Sequence, residues 1–485
     1  MKIGNYNKGA KGILLILLLL AMGVLQAGDP GFSECGLTHP RLSRVINAQC
    51  RDFEVPLNHG EPQGEKIRLH VAVIPASGKA PDPDPLFFFA GGPGQSAVDS
   101  APLMWPVFSQ LVKQRDIVLI DQRGTGKSTP LDCPQDDELD LLADDDLLVQ
   151  KTRECLDSLA ADVRFFTSRQ AVEDVAFVRE ALGYEQINLM GVSYGTRMAQ
   201  LVLREYPGTV RSIVLDGVIP LETVIGVDFA ASLQQSMQKL LLNCGAGAAC
   251  SKAFPDLDQD WHAYLQLPVD ETRQLEIAHP RTGEMLKLEV DRQSLDAALR
   301  MLSYSSETRS LLPLLIHTVV EGNWLLMLGQ ALQVVASLDG EMSEGMHNAV
   351  VCTEDVPYYE NLPPPSNKVL GRFPQQIQKL CSVWPRGESY PDIHRPLQSA
   401  VPALLLSGEL DPVTPVSYGE QALKQFSSGQ HLVVPGQAHN VLPRGCVPQL
   451  AADFIGHLAL EPGDSTCVQD TAHLPFFIDK LGPAP

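Results

Sequence analysis

Five residues, Gly191-Val192-Ser193-Tyr194-Gly195, constrain this 485-residue chain more than any other feature. By itself the pattern is loose, and ordinary surface loops also satisfy it. Its flanks decide the reading. Gln186-Ile187-Asn188-Leu189-Met190 reads as a short buried strand, and Thr196 to Glu205 reads as a helix ended by Tyr206-Pro207-Gly208. Strand, tight turn and helix together hold a serine hydroxyl out from a strained backbone, with glycine where a Cβ would crowd the turn.

Such a serine becomes a nucleophile only beside a base, itself oriented by an acid. Val401 to Ser407 has the look of a buried parallel strand, and Gly408-Glu409-Leu410-Asp411-Pro412 is the loop at its C-terminal end. Reactive groups of open α/β sheets sit in such loops, so Asp411 is the expected acid. Asp216, after the strand Val210 to Leu215, is the rival, and a turn aspartate before proline is the bland alternative for Asp411. The expected base is His439, which follows the strand His431-Leu432-Val433-Val434 on a loop 28 residues beyond Asp411. None of the other histidines occupies that place in the order.

Charge developing on a carbonyl oxygen needs donors whose backbone can come close. Gly91-Gly92-Pro93-Gly94 supplies them after the apolar run Leu86-Phe87-Phe88-Phe89-Ala90. The N–H groups of Gly92 and Tyr194 are the expected oxyanion donors, with Gly91 shaping the loop. A nearby Gly126-Lys127-Ser128 suggests nucleotide binding, but the P-loop pattern requires a further glycine where Asp121 stands.

The N-terminus carries Lys2, Lys8 and Lys11, then an apolar run from Ile13 to Met22, then Ala27. That is the order of a secretory leader cleaved after residue 27, with an apolar core shorter than the ~20 residues that span a bilayer. The ten cysteines fit export. Pairing of neighbours along the chain is the economical arrangement (Cys35/Cys50, Cys133/Cys155, Cys244/Cys250, Cys352/Cys381, Cys446/Cys467), although sequence alone does not fix connectivity. No C-x-x-C or zinc-ligand spacing occurs, so neither metal nor cofactor is expected. Loss of three leader lysines takes the formal charge from −21 to about −24. So acidic a surface excludes nucleic-acid and anionic-membrane partners. No stable membrane insertion is expected after leader cleavage.

Strand–helix alternation runs from about Phe53 to Pro220 and resumes from Pro396 to His457. The expected organisation is an α/β fold with a mostly parallel, doubly wound sheet, in two core parts (28–220 and 396–485). Between them, 221–395 reads as a mainly helical lid, with helical spacing over Gln234 to Leu242, Ser294 to Tyr304 and Leu311 to Val335. Pro363-Pro364-Pro365 marks a loop in it, and Asp136 to Asp146 is an acidic, solvated stretch of the first core part.

Taken together, these segments resemble the proline iminopeptidase group of α/β-hydrolases, especially its exported tripeptidyl-aminopeptidase branch of serine exopeptidases. Gly91-Gly92-Pro93-Gly94, Asp121-Gln122-Arg123-Gly124-Thr125-Gly126-Lys127-Ser128 and the Ser193 turn carry the resemblance. So do Leu215-Asp216-Gly217, Gly408 through Pro415, and Gly436-Gln437-Ala438-His439. It spans about Cys35 to Cys467. Ala90 departs from the histidine that many proline iminopeptidases carry there, which weakens transfer of a proline-only specificity. The resemblance implies a lid that sets substrate choice and cleavage from the free N-terminus, with lid carboxylates holding the substrate ammonium. Glu354 and Asp355, in Val351-Cys352-Thr353-Glu354-Asp355, are the expected amine contacts, a solvated surface pair being the bland alternative. Peptides with a free N-terminus are the expected partners. The rival readings are an exported esterase or amidase using the same triad, and a binding protein on an inactive scaffold.

Overall fold

The computed structural model describes residues 31–134, 145–269, 271–338, 340–359, 362, 368–471 and 473–483. The expected leader, Pro363–Pro365 and most of the acidic stretch from Asp136 lie outside the described residues.

Strands β1 (Ser33–His39), β2 (Leu42–Pro56), β3 (Lys66–Ile74), β4 (Leu86–Phe89) and β5 (Ile117–Ile120) open the fold. Then come β6 (Ile187–Val192) and β7 (Val210–Asp216). After the lid, which holds β8 (Arg273–Ala278) and β9 (Met285–Val290), β10 (Ala403–Gly408) and β11 (Gly429–Val434) complete the central sheet. Its order is β1-β2-β3-β5-β4-β6-β7-β10-β11. The pairings β1–β2, β2–β3 and β3–β5 are antiparallel, and every pairing from β5 through β11 is parallel.

The sequence dictates this layering. Every residue of β4, β5, β6 and β10 is buried, as expected of parallel strands covered on both faces. Alternate side chains feed two separate cores. Phe87, Phe89, Val118, Ile120, Leu189 and Leu405 pack on one face, and Leu86, Phe88, Ile117, Leu119, Met190 and Leu404 on the other. Each fully buried Leu, Ile or Phe contributes roughly 1.5–3 kcal/mol, which fixes the strand register.

The segment between β7 and β10 builds its own core around Leu233, Met237, Trp261, Leu299, Leu315 and Leu328. It is mainly helical, with helices that include Phe229–Ala246, Arg292–Ser303 and Glu344–Glu354. The spacing over Leu311–Val335 belongs to two helices, Leu312–Val320 and Leu325–Leu338. Gly322, at φ +93°, sits at the break between them. The antiparallel hairpin of β8 and β9 was not legible in the sequence, because its strands are half-exposed and carry no continuous apolar run.

All five neighbouring cysteine pairs are disulfides. No helix among the described residues is long and apolar enough to cross a membrane.

Candidate active site

Ser193 stands where β6 turns into the helix Tyr194–Glu205, at φ +55° and ψ −122°. A non-glycine residue in that region is strained and persists only where its surroundings hold it. Both flanking glycines are required. A Cβ on Gly191 would collide with the Gly195 carbonyl oxygen, and one on Gly195 would collide with that of Phe89. Ser193 N–H donates to the Asp216 carbonyl at 2.8 Å, tying the turn to the end of β7.

His439 and Asp411 meet as the motif order suggests. His439 Nδ1 lies 2.7 Å from Asp411 Oδ2, and both side chains are buried. The other carboxylate oxygen, Oδ1, accepts the backbone N–H groups of Val413 and Thr414, each at 2.8 Å. Thr414 Oγ1 donates to Oδ2 at 2.7 Å and lies 3.2 Å from His439 Nδ1. With Nδ1–H directed at Asp411, Nε2 is the nitrogen left to accept a proton. Burial by itself would lower the imidazole pKa, but Asp411 outweighs it and the net shift is upward.

The rival acid has a different occupation. Asp216 accepts the backbone N–H groups of Val441 and Leu442, at 3.1 and 2.8 Å, and so anchors the loop just beyond His439. Burial pushes its carboxyl up to about 6. The next residue, Gly217, has no room for a Cβ, which would approach His439 Cε1 to 2.9 Å. The imidazole and the Ser193 turn therefore flank the same Asp216–Gly217 backbone.

The glycine loop after β4 faces the serine. A Cβ on Gly91 would lie 3.2 Å from that of Ser193, and Gly92 adopts φ +106°. The lid holds this loop from above, since Ser343 N–H donates to the Gly94 carbonyl at 3.0 Å. Tyr194, whose N–H opens the helix after Ser193, is fully buried, and its hydroxyl lies 2.7 Å from Ser168 Oγ.

Glu354 and Asp355 are fully buried behind the Tyr194 helix, not displayed on the surface. Asp355 forms a two-pronged pair with Arg197 of that helix (2.9 and 3.0 Å) and accepts Ile225 N–H at 2.8 Å. Glu354 accepts Ser168 N–H at 2.6 Å and Ser168 Oγ–H at 2.7 Å. No cationic side chain among the described residues lies within ion-pair distance of Glu354, and burial raises its carboxyl to about 7.

Sequence reasoning missed several neighbours. The lid's Tyr304 sets its ring edge-on to His439, centroids 5.5 Å apart, and its carbonyl accepts His439 N–H at 3.0 Å. Arg300 donates to the Tyr304 hydroxyl at 2.9 Å and stacks over Phe229 at 4.6 Å. A Tyr at the end of a lid helix gives no local signal of this, because only the lid's docking places it there. The Asp121–Ser128 segment is structural. Arg123, fully buried, pairs with Asp174 through two nitrogens and donates to the carbonyls of Leu57 and Phe165. Asp121 accepts Ser96 Oγ–H and the N–H groups of Val98 and Lys127.

Comparison with known proteins places the chain among the α/β-hydrolases. Residues 84–252 match the family described as alpha/beta hydrolase fold, and residues 367–467 match that described as TAP-like protein. The chain is 27% identical to YuaR of Escherichia coli (strain K12), over 94% of this chain and 96% of that one. It is 23% identical to the serine protease Hip1 of Mycobacterium tuberculosis (strain ATCC 25618 / H37Rv), covering 96% of this chain and all of that one. A tripeptidyl aminopeptidase of Streptomyces coelicolor (strain ATCC BAA-471 / A3(2) / M145) is 30% identical over 35% of each chain.

Proposed function

We propose that this chain, an α/β-hydrolase of the proline iminopeptidase and tripeptidyl-aminopeptidase group, is an exported serine peptidase that cleaves peptides from a free N-terminus. One observation carries the reading. A strained serine turn, a glycine loop and a buried His439–Asp411 pair converge on one end of the parallel strands.

His439 Nε2 takes the proton of Ser193 Oγ as that oxygen attacks the scissile carbonyl. Asp411 holds Nδ1–H and stabilises the imidazolium that forms. The N–H groups of Gly92 and Tyr194 receive the negative charge on the carbonyl oxygen, on a loop that Gly91 leaves bare. His439 then returns the proton to the leaving amine. Water, deprotonated by the same imidazole, hydrolyses the acyl-enzyme and frees Ser193.

The substrate ammonium is assigned to Glu354. Asp355 already has Arg197 as its cation and serves to position its neighbour. Glu354 is a desolvated carboxyl with no direct ion-pair partner among the described residues, Arg197 attracting it only at longer range, and an ammonium supplies that partner. Export is supported by the five disulfides and by the leader-like N-terminus.

The test uses paired peptides with free and acetylated N-termini and a simple acyl ester, with products identified by mass spectrometry. Release of one or three residues from the free-amine peptide alone is the expected result. Equal cleavage of the acetylated peptide overturns the requirement for a free N-terminus, and turnover of the ester alone moves the assignment to an esterase.

A further inference from the structure

A cavity of about 500 Å³ lies beside the acid loop, between the lid and the C-terminal segment. Leu410, the neighbour of Asp411, and Gly436, three residues before His439, form its floor. Leu474, Pro475 and Phe476 form an apolar wall. Phe477 N–H donates to the Ser310 carbonyl at 3.0 Å and fastens that wall to the lid. The Cys244–Cys250 disulfide stiffens the opposite rim, so the space is formed in advance.

Arg309 lines this cavity and is only 2% exposed. Its Nη1 and Nη2 donate to Ser236 Oγ and to the Ser236 carbonyl, at 2.7 and 2.6 Å, while its buried Nε has no partner. No carboxylate among the described residues pairs with it. Glu409 exerts the one attractive pull, but its Oε2 accepts Gly436 N–H at 2.8 Å. Burial without a counter-ion depresses the guanidinium to about 9. A desolvated cation with no carboxylate partner is costly, and an anion in the cavity offsets that cost.

We infer that this cavity binds a carboxylate carried on an apolar body, with Arg309 receiving the carboxylate. The apolar wall selects an organic acid over an inorganic anion, and the volume suits a small ligand within the usual range of roughly 300–1,000 Å³. Ser236 links the site to the acid loop. Its Oγ–H donates to the Leu410 carbonyl at 2.8 Å, so an occupant of Arg309 bears on the backbone that presents Asp411. A peptide C-terminus and a free aliphatic acid share this chemistry.

Binding is tested with full-length Ser193→Ala protein, so the result does not depend on the hydrolytic reading. Hexanoate and N-acetyl-leucyl-leucine are titrated by calorimetry and thermal shift, with hexanamide and hexylamine as controls. At least one acid is expected to bind saturably and raise the melting temperature while both controls leave it unchanged. Whichever acid binds identifies the source. Arg309→Met is expected to abolish binding. Because that change also strips Ser236 of its partner, Leu474→Glu serves as the second variant. Leu474 is 40% exposed, and a carboxylate there is expected to weaken binding at least tenfold without loss of fold. Equal response to hexanamide, no response to either acid, or unchanged affinity in Leu474→Glu overturns the inference.

Discussion

Arg197 and Asp355 face each other as two fully buried side chains, joined by hydrogen bonds of 2.9 and 3.0 Å between the helix after Ser193 and the end of the helix Glu344–Glu354. The pair fastens the lid's return to the element that carries the serine turn. Removing only the acid strands a guanidinium away from water. Asp355→Ala is therefore expected to lower stability by about 3–5 kcal/mol, whereas Arg197→Met with Asp355→Leu costs far less. Chemical denaturation of both variants checks this, and equal losses would show that charge pairing is not what joins the two elements.

The two candidate acids separate by substitution. Asp411→Asn is expected to lower kcat by about 10⁴-fold in a folded protein, since the amide favours the wrong imidazole tautomer. Asp216→Asn keeps an acceptor for the Val441 and Leu442 N–H groups and is expected to have a much smaller effect on kcat. Steady-state kinetics decide between them, and the reverse ranking would make Asp216 the orienting acid.

The pH dependence has a defined sign. His439 must be neutral to accept the serine proton, so activity falls as pH drops through its pKa. That pKa is raised, which places the acid limb of kcat/KM above the ordinary imidazole value of about 6.5. Asp411→Asn removes the raising partner, and the limb is expected to move down. A limb unchanged by that substitution would argue against His439 as the titrating group.

Glu354 separates recognition from chemistry. Its carboxyl, raised to about 7, accepts an ammonium best when ionised, so KM for free-amine peptides is expected to rise as pH falls below that value. Glu354→Gln is expected to raise that KM by roughly ten- to a hundredfold, the worth of about 1.5–3 kcal/mol of charged hydrogen bonding, with ester turnover unchanged. Equal losses on the ester and the peptide would assign Glu354 to scaffolding.

The Cys352–Cys381 disulfide closes a separation of 29 residues beside these acids. Replacing both cysteines by serine is expected to cost about 3–4 kcal/mol in unfolding free energy, chiefly by freeing the unfolded chain. Equilibrium unfolding measures it, and no loss would mean that the unfolded chain is already restricted there.

Local patterns in the sequence reach the sheet and the order of the site. Short apolar runs such as Leu86–Phe89 and Ile117–Ile120, bounded by polar or turn residues, read as strands covered on both faces, and Gly191 and Gly195 mark a turn that tolerates no Cβ. Ser193, Asp411 and His439 follow because each stands just past a strand end, where chain direction alone brings loops of a parallel sheet together. The lid's hairpin escapes, since half-exposed strands leave no distinctive period. The partners of each buried charge escape as well. For Asp355, Glu354 and Asp216 the partners stand more than a hundred positions away. Only the docking of lid on core gives Asp355 to Arg197, leaves Glu354 with Ser168, and buries Arg309 at the edge of a cavity. Sequence determines the strands, the turn and the order of the reactive groups because those are local; tertiary structure decides the charge partners because electrostatic compensation is made in space.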